Sequence, residues 1–193
     1  MPRAGLTPRL VVEEAARLAD EVGYQRLTLA SVAQRLGVAL PSLYKHVKGL
    51  DGLLQKLSAL ATAELAKELS DAVAGRARSD AVRALAHAFR QYAHKHPGRF
   101  PAVERAPDPT DPEHMRAAEW AVGTIFAVLE GYGLRGDDAV HATRMLRSAL
   151  HGFVALEQDG GFGMPQSVDR TFDRLIAMLD HTFTTWPTLS ETK

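Results

Sequence analysis

The sequence predicts an all-α fold: an N-terminal three-helix domain, residues 1–50, linked by a long fourth helix to a C-terminal helical bundle, residues 51–193. Three observations support this. Apolar residues recur at the three- and four-residue spacing of a helix in almost every segment. No stretch alternates apolar and polar residues for long enough to make a half-buried strand. Glycine and proline fall between the periodic segments, where helices end or restart.

The elements follow in order. Leu10, Val11, Ala15, Leu18, Ala19 and Val22 form the first stripe, with Thr7 as N-cap, Pro8 at the first helical position and Gly23 at the end. Thr28 opens a second helix through Leu29, Val32, Ala33 and Leu36, and Gly37 stops it. A short third helix is expected over residues 40–47, with Pro41 near its start. The fourth, residues 51–74, is carried by Leu53, Leu54, Leu57, Leu60, Ala61, Leu65 and Leu69. A fifth covers residues 79–96 through Val82, Leu85, Phe89 and Tyr92, until Pro97 and Gly98 break it. Residues 105–112 hold three prolines and read as a loop. Helices follow over residues 112–132 and 137–158, and Gly160, Gly161 and Gly163 make a turn. The last helix carries Val168, Phe172, Leu175, Ile176, Leu179, Phe183 and Trp186.

Composition narrows the function classes. The 193 residues suit one small module plus a larger domain. At 46% hydrophobic and 24% charged the chain has material for a real core. There is no cysteine, which excludes disulfides, zinc–thiolate sites, iron–sulfur clusters and a thiol nucleophile. No run of about 18 apolar residues exists and the N-terminus lacks the apolar region of a signal peptide, so no membrane association and a cytoplasmic location are expected. Basic and acidic residues balance at 23 each, but not evenly along the chain. Residues 1–50 hold seven basic against four acidic side chains. Between Glu21 and Asp51 there is no acid, while Arg26, Arg35, Lys45 and Lys48 lie there, a candidate footprint for phosphate.

The segment from Leu29 to Val47 is the most specific. Ala33 is small enough for two helices to approach closely, and Gly37 permits the positive φ of a tight turn. Val32, Leu36, Val38, Leu43 and Val47 would close a miniature core. Pro41, Ser42, Tyr44, Lys45 and His46 are left near an exposed face of the second helix of the pair, which can then enter a major groove as a helix-turn-helix. An ordinary helical hairpin within a bundle has the same small-residue and glycine spacing.

The full string, Thr28-Leu29, Leu36-Gly37-Val38 and Leu43-Tyr44-x-His46-Val47 followed by a long helix, is similar to the DNA-binding domain of the TetR family of regulators over about residues 7–57. Leu150-His151-Gly152 and the residues after it resemble the variety of C-terminal domain built around a Trp-His-Gly motif, with leucine in place of the tryptophan. The resemblance implies roles. Thr28 would touch a phosphate; Leu40, Pro41, Ser42 and Tyr44 occupy recognition positions; Tyr44, Lys45, His46 and Lys48 would contact phosphates. Ala39 stands where the family often has a serine cap, and Leu50 where it usually has a lysine. The resemblance also implies a small-molecule effector in the C-terminal domain, for which Phe89, Tyr92, Trp120, Phe126 and His151 are candidate lining residues.

The expected function is sequence-specific binding of double-stranded DNA, as a repressor released by a small-molecule effector. A single short recognition helix makes too few contacts, so a homodimer on a palindromic operator is expected, joined through the last two helices, with Phe172 and Leu179 at that interface. No catalytic residue, metal site or cofactor is expected: His94 and His96 are two apart and do not share a helix face, and no nucleotide-binding or nucleophile motif is present. A helical bundle that binds a protein or a small molecule without binding DNA is the alternative.

Overall fold

The computed structural model describes residues 5–187, and every element among them is helical. Helix α1, Pro8–Val22, begins as its sequence dictates: the Thr7 hydroxyl accepts from the Leu10 amide at 3.2 Å and Pro8 occupies the first turn, where its missing N–H has no intrahelical role. After a 3-10 turn, Tyr24–Arg26, helix α2 spans Leu29–Leu36. Thr28 and Ser31 cap it reciprocally, each side-chain oxygen accepting from the other's amide at 3.1 Å. Gly37 ends it at φ +64°, so the Val38 amide can turn back to the Ala33 carbonyl at 3.0 Å.

The third helix is shorter than expected. Helix α3 covers only Leu40–Leu43, and residues 44–46 continue as a turn in which the His46 and Val47 amides both reach the Leu43 carbonyl. Ala39 offers no side-chain cap and Pro41 removes a donor, so nothing local favours prolonging it. Helix α4, Gly49–Val73, starts two residues before its expected position. Then come α5, Arg78–Lys95, a 3-10 turn at Phe100–Glu104 that the periodicity did not signal, α6, Pro112–Glu130, α7, Gly136–Gln158, and α8, Val168–Thr184. Trp186 lies beyond α8, its indole N–H donating to Asp138 at 2.8 Å.

The chain divides into two compact units, Met1–Ala66 with Tyr92–Ala121, and Lys67–Gln91 with Val122–Lys193. In the first, α1 packs on α2 and α2 on α3. Its core joins Val11, Ala15, Ala19, Val32, Leu43 and Val47 to Leu53, Leu57 and Ala61 of α4 and to Ala102. The expected miniature core is therefore formed, with Leu36 and Val38 half-buried at its edge. In the second, Val82, Leu85, Phe89, Leu146, Leu150, Phe153, Phe172, Ile176, Leu179 and Phe183 are buried. Arg90 of α5 lies over the rings of Phe153 and Phe172 and pairs with Glu157 and Asp169. Among the described residues no helix is long and apolar enough to cross a membrane.

Candidate nucleic-acid interface and sensing region

The surface around α3 is built by a short helix that cannot bury its own side chains. Leu40 is 36% exposed and Tyr44 57%, while Pro41, Lys45 and Lys48 are also exposed and Ser42 and His46 half-buried. Leu43 and Val47, fully packed below, hold this face in place. Among the described residues Lys45 and Lys48 meet no carboxylate, so their ammonium groups are available to phosphate. Arg35 is different. Its two terminal nitrogens donate to the two oxygens of Glu21 at 2.6 Å each, which pins α2 to α1 and holds the Glu21 carboxyl below its usual range. The basic excess of residues 1–50 thus overstates what this face offers to DNA. Thr28 is exposed, but its hydroxyl is engaged in the cap, donating to Ser31 Oγ at 3.0 Å. Leu50 is 38% exposed at the head of α4.

Elsewhere in the first unit, one guanidinium gathers three segments. Arg99 is 8% exposed. Its Nε donates to Asp20 of α1 at 2.9 Å, and Nη1 donates to both oxygens of Glu64 on α4 at 3.0 Å. Asp20 also accepts from the amides of Gly98 and Arg99 and lies 3.3 Å from His96 Nδ1. The Tyr92 hydroxyl donates to Glu64 and faces the Ala61 carbonyl; burial, then the Glu64 charge, push its pKa up. Gly98 sits so close to α1 that a Cβ there would lie 1.7 Å from the Ala19 carbonyl oxygen. Sequence reasoning missed this cluster, because its members are 28 to 79 residues apart. A second buried pair joins α4 to α6: His114 Nε2 lies 3.2 Å from Ser58 Oγ, and His114 Nδ1 accepts from the Asp108 amide at 3.4 Å. Burial pulls the His114 pKa down, so the ring is neutral near pH 7.

The five candidate lining residues do not all meet. Phe89 and His151 pack edge to face with ring centroids 4.8 Å apart in the second unit, Phe89 buried and His151 half-buried. Phe126 of that unit is 38% exposed. Tyr92 and Trp120 belong to the first unit, Tyr92 in the Arg99 cluster and Trp120 on the wall of an open groove of about 760 Å³.

A helix-turn-helix with an exposed, basic-flanked recognition face, carried on an all-helical body, defines a DNA-binding transcriptional regulator, and comparison with known proteins agrees. Residues 11–57 match the family described as bacterial regulatory proteins, tetR family, and residues 82–179 match a tetracyclin repressor-like C-terminal domain. The chain is 42% identical to the uncharacterized HTH-type transcriptional regulator Rv0681 of Mycobacterium tuberculosis, over 81% of this chain and 72% of that protein. It is 34% identical to the uncharacterized HTH-type transcriptional regulator YobS of Bacillus subtilis, over 80% and 81%. A tetracycline repressor protein class A, of transposon 1721 in Escherichia coli, is 36% identical over 80% of this chain and 68% of that one. In fold it matches a TetR variant from Acinetobacter baumannii crystallised with minocycline, at TM-score 0.75 and 22% identity, covering 96% of this chain and all of that one. The chain belongs to the TetR family, a non-enzymatic family of transcriptional regulators.

Proposed function

We propose that this regulator works as a homodimeric repressor that holds a palindromic operator and releases it when a small molecule enters the C-terminal domain. Residues 1–50 read the DNA, and residues 51–193 bind the effector and the second protomer. The observation that carries the reading is the α3 face. Leu40 and Tyr44 stand exposed beside Lys45 and Lys48, whose charges no carboxylate neutralises among the described residues. Leu40 and Ser42 read bases, an apolar side chain sensing a thymine methyl and a hydroxyl hydrogen-bonding to a base edge. Pro41 shapes the start of the helix, and Tyr44, Lys45, His46 and Lys48 anchor phosphates, with Thr28 and the first amides of α2 at a further phosphate.

The sensing half is supported by relatives, one named a tetracycline repressor and one solved with minocycline. Phe89, Phe126 and His151 are its proposed ligand contacts in the second unit, with Tyr92 and Trp120 the remaining candidates. Leu150-His151-Gly152 takes the place of the Trp-His-Gly motif, and the Phe89–His151 ring contact supports grouping these two candidates. The dimer contact is proposed on the outer face of α7 and α8, which pack on each other. Phe172 and Leu179, expected there, instead lie in the protomer's own core, at 0% and 2% exposure. A helical stripe shows which face is buried, not what buries it. The apolar side chains that do face outward are Met145 and Leu156, three turns apart on α7, and Met178 on α8.

The test is fluorescence anisotropy on a duplex from the region upstream of the protein's own gene, over a range of salt. Each neutralised phosphate contributes about −0.9 to the slope of log K on log salt. Lys48→Ala should weaken all sequences alike and flatten the slope by roughly one unit, while Ser42→Ala should alter base preference at constant slope. An unchanged slope in the Lys48 variant would sink the assignment.

A further inference from the structure

His114 is a titratable side chain that neither the DNA-reading face nor the proposed effector contacts use, and it is completely buried, at 0% exposure. Within the first unit it ties the start of α6 to Ser58 of α4 and to Asp108 in the segment ahead of α6. A main-chain amide can only donate, so the contact from the Asp108 amide at 3.4 Å requires Nδ1 to be bare. The neutral ring therefore carries its proton on Nε2, which donates to Ser58 Oγ at 3.2 Å. Protonation adds a second donor, on Nδ1, that faces the Asp108 N–H where no solvent reaches. Two donors pointed at each other cost the contact they replace, so the ring or the Asp108 segment must move.

The surrounding charges do not supply a ready partner. Burial, helped by Arg105, disfavours the charged ring, while Asp111 and Asp108 pull the other way. Arg105 is itself held by Asp51 of α4. Asp108 Oδ1 already accepts from the Thr110 amide and hydroxyl at 2.8 and 2.7 Å. Asp111 Oδ1 accepts from the Glu113 and His114 amides at 3.0 and 3.2 Å, and its other oxygen lies 3.8 Å from Lys56 Nζ of α4. Glu113 and Arg116 of α6 are exposed at the surface. Nδ1 of an imidazolium thus regains a partner only when the Asp108 amide moves away. On α4, Leu53, Leu57 and Ala61 flank Ser58 in sequence and share one core with Leu43 and Val47, which lie beneath the recognition face. We propose that His114 is an acid-sensitive latch: its protonation frees the segment 105–111 from α6, loosens α4 and weakens DNA binding. This rests on the DNA-binding reading above. If DNA selects the latched arrangement, it opposes proton uptake, and by linkage affinity falls with pH by at most about tenfold per unit for each protomer. His46 on the recognition face acts in the opposite sense, since a charge gained there strengthens a phosphate contact.

Fluorescence anisotropy on the upstream duplex between pH 7.5 and 5.5, at fixed ionic strength, tests this in the unmutated chain and in His114→Gln, whose amide can accept from Asp108 and donate to Ser58 without titrating. The unmutated chain should bind about threefold or more weaker at pH 5.5 than at pH 7.5, and the variant should show no such loss. Hydrogen exchange of residues 105–114 on the full chain, read by mass spectrometry and corrected for the intrinsic effect of pH, should rise on acidification in the unmutated chain alone. No loss of affinity, an equal loss in the variant, or exchange that does not rise would each overturn the proposal. Failure to bind the duplex at any pH would overturn the DNA reading on which it rests, while the exchange still decides whether the latch opens.

Discussion

Replacing Arg99 by methionine tests whether the Asp20–Arg99–Glu64 cluster holds the first unit together. Methionine keeps much of the apolar stem, so the loss is chiefly electrostatic. Two carboxylates that share one guanidinium at 2.8 to 3.0 Å are left facing each other without a cation. Removing one partner of a buried ion pair costs about 3–5 kcal/mol. The Asp20 and Glu64 side chains keep 18% and 34% of their exposure, so water screens part of this, and the lower end, about 3 kcal/mol, applies here. For a chain of this size each kcal/mol lowers the thermal midpoint by roughly 2–4 °C, so a fall of about 6–12 °C is expected. Urea denaturation followed by far-UV circular dichroism measures the same loss. Adding Asp20→Asn and Glu64→Gln to the Arg99→Met chain should recover more than half of it, because the stranded charges are then gone. A loss under about 1 kcal/mol, the range of exposed ion pairs, or losses that simply add, would refute the reasoning.

Three further outcomes follow from the same geometry. Gly98→Ala places a Cβ 1.7 Å from the Ala19 carbonyl oxygen and 2.4 Å from the Asp20 amide nitrogen. Backbone cannot yield there without withdrawing α1, so urea midpoints should report a loss of about 3 kcal/mol or more, and a near-neutral variant would contradict the close approach. His114 titrates lower folded than unfolded, where its pKa is near 6.5; as pH falls the unfolded chain takes up the proton first, so stability should decline below about pH 6.5. Thermal melts between pH 7.5 and 5 should show this slope reduced in His114→Gln, and an equal slope in both chains would mean that other groups cause it. Met145→Glu with Met178→Glu should yield folded monomers by light scattering, whereas Phe172→Glu should unfold the chain by burying a charge; a dimer surviving the methionine changes would move the interface elsewhere.

What the sequence made legible was local. Thr7 with Pro8, Thr28 with Ser31, and Gly37 each act within one turn of helix, and the structure uses them as their chemistry requires. The apolar stripes placed the eight α-helices among the described residues to within a few residues, and Pro41, Tyr44 and Lys45 are exposed for the reason the sequence offers, that Leu43 and Val47 point inward, while Ser42 and His46, expected on the same face, are half-buried. Arg35 misled because a cation's availability depends on a partner in space, here Glu21 on the preceding helix. The clusters around Arg99 and His114 were invisible for the same reason, as they join residues that only the tertiary fold brings together. Helical period could not say whether Phe172 faced its own core or a second protomer, nor that Trp120 would stand in a groove of the first unit, apart from Phe89 and His151.

The discontinuity of the first unit bears on how such regulators can be recombined. A chimera that grafts residues 1–50 onto the sensor of a relative would carry Asp20 away from the amides of Gly98 and Arg99 and from the Arg99 guanidinium. The transplanted module would keep its recognition face and lose the contacts that hold α1 to the rest of the first unit. A working exchange should therefore move two stretches of chain, Met1–Ala66 and Tyr92–Ala121, as one part, leaving the recipient only Lys67–Gln91 and Val122–Lys193.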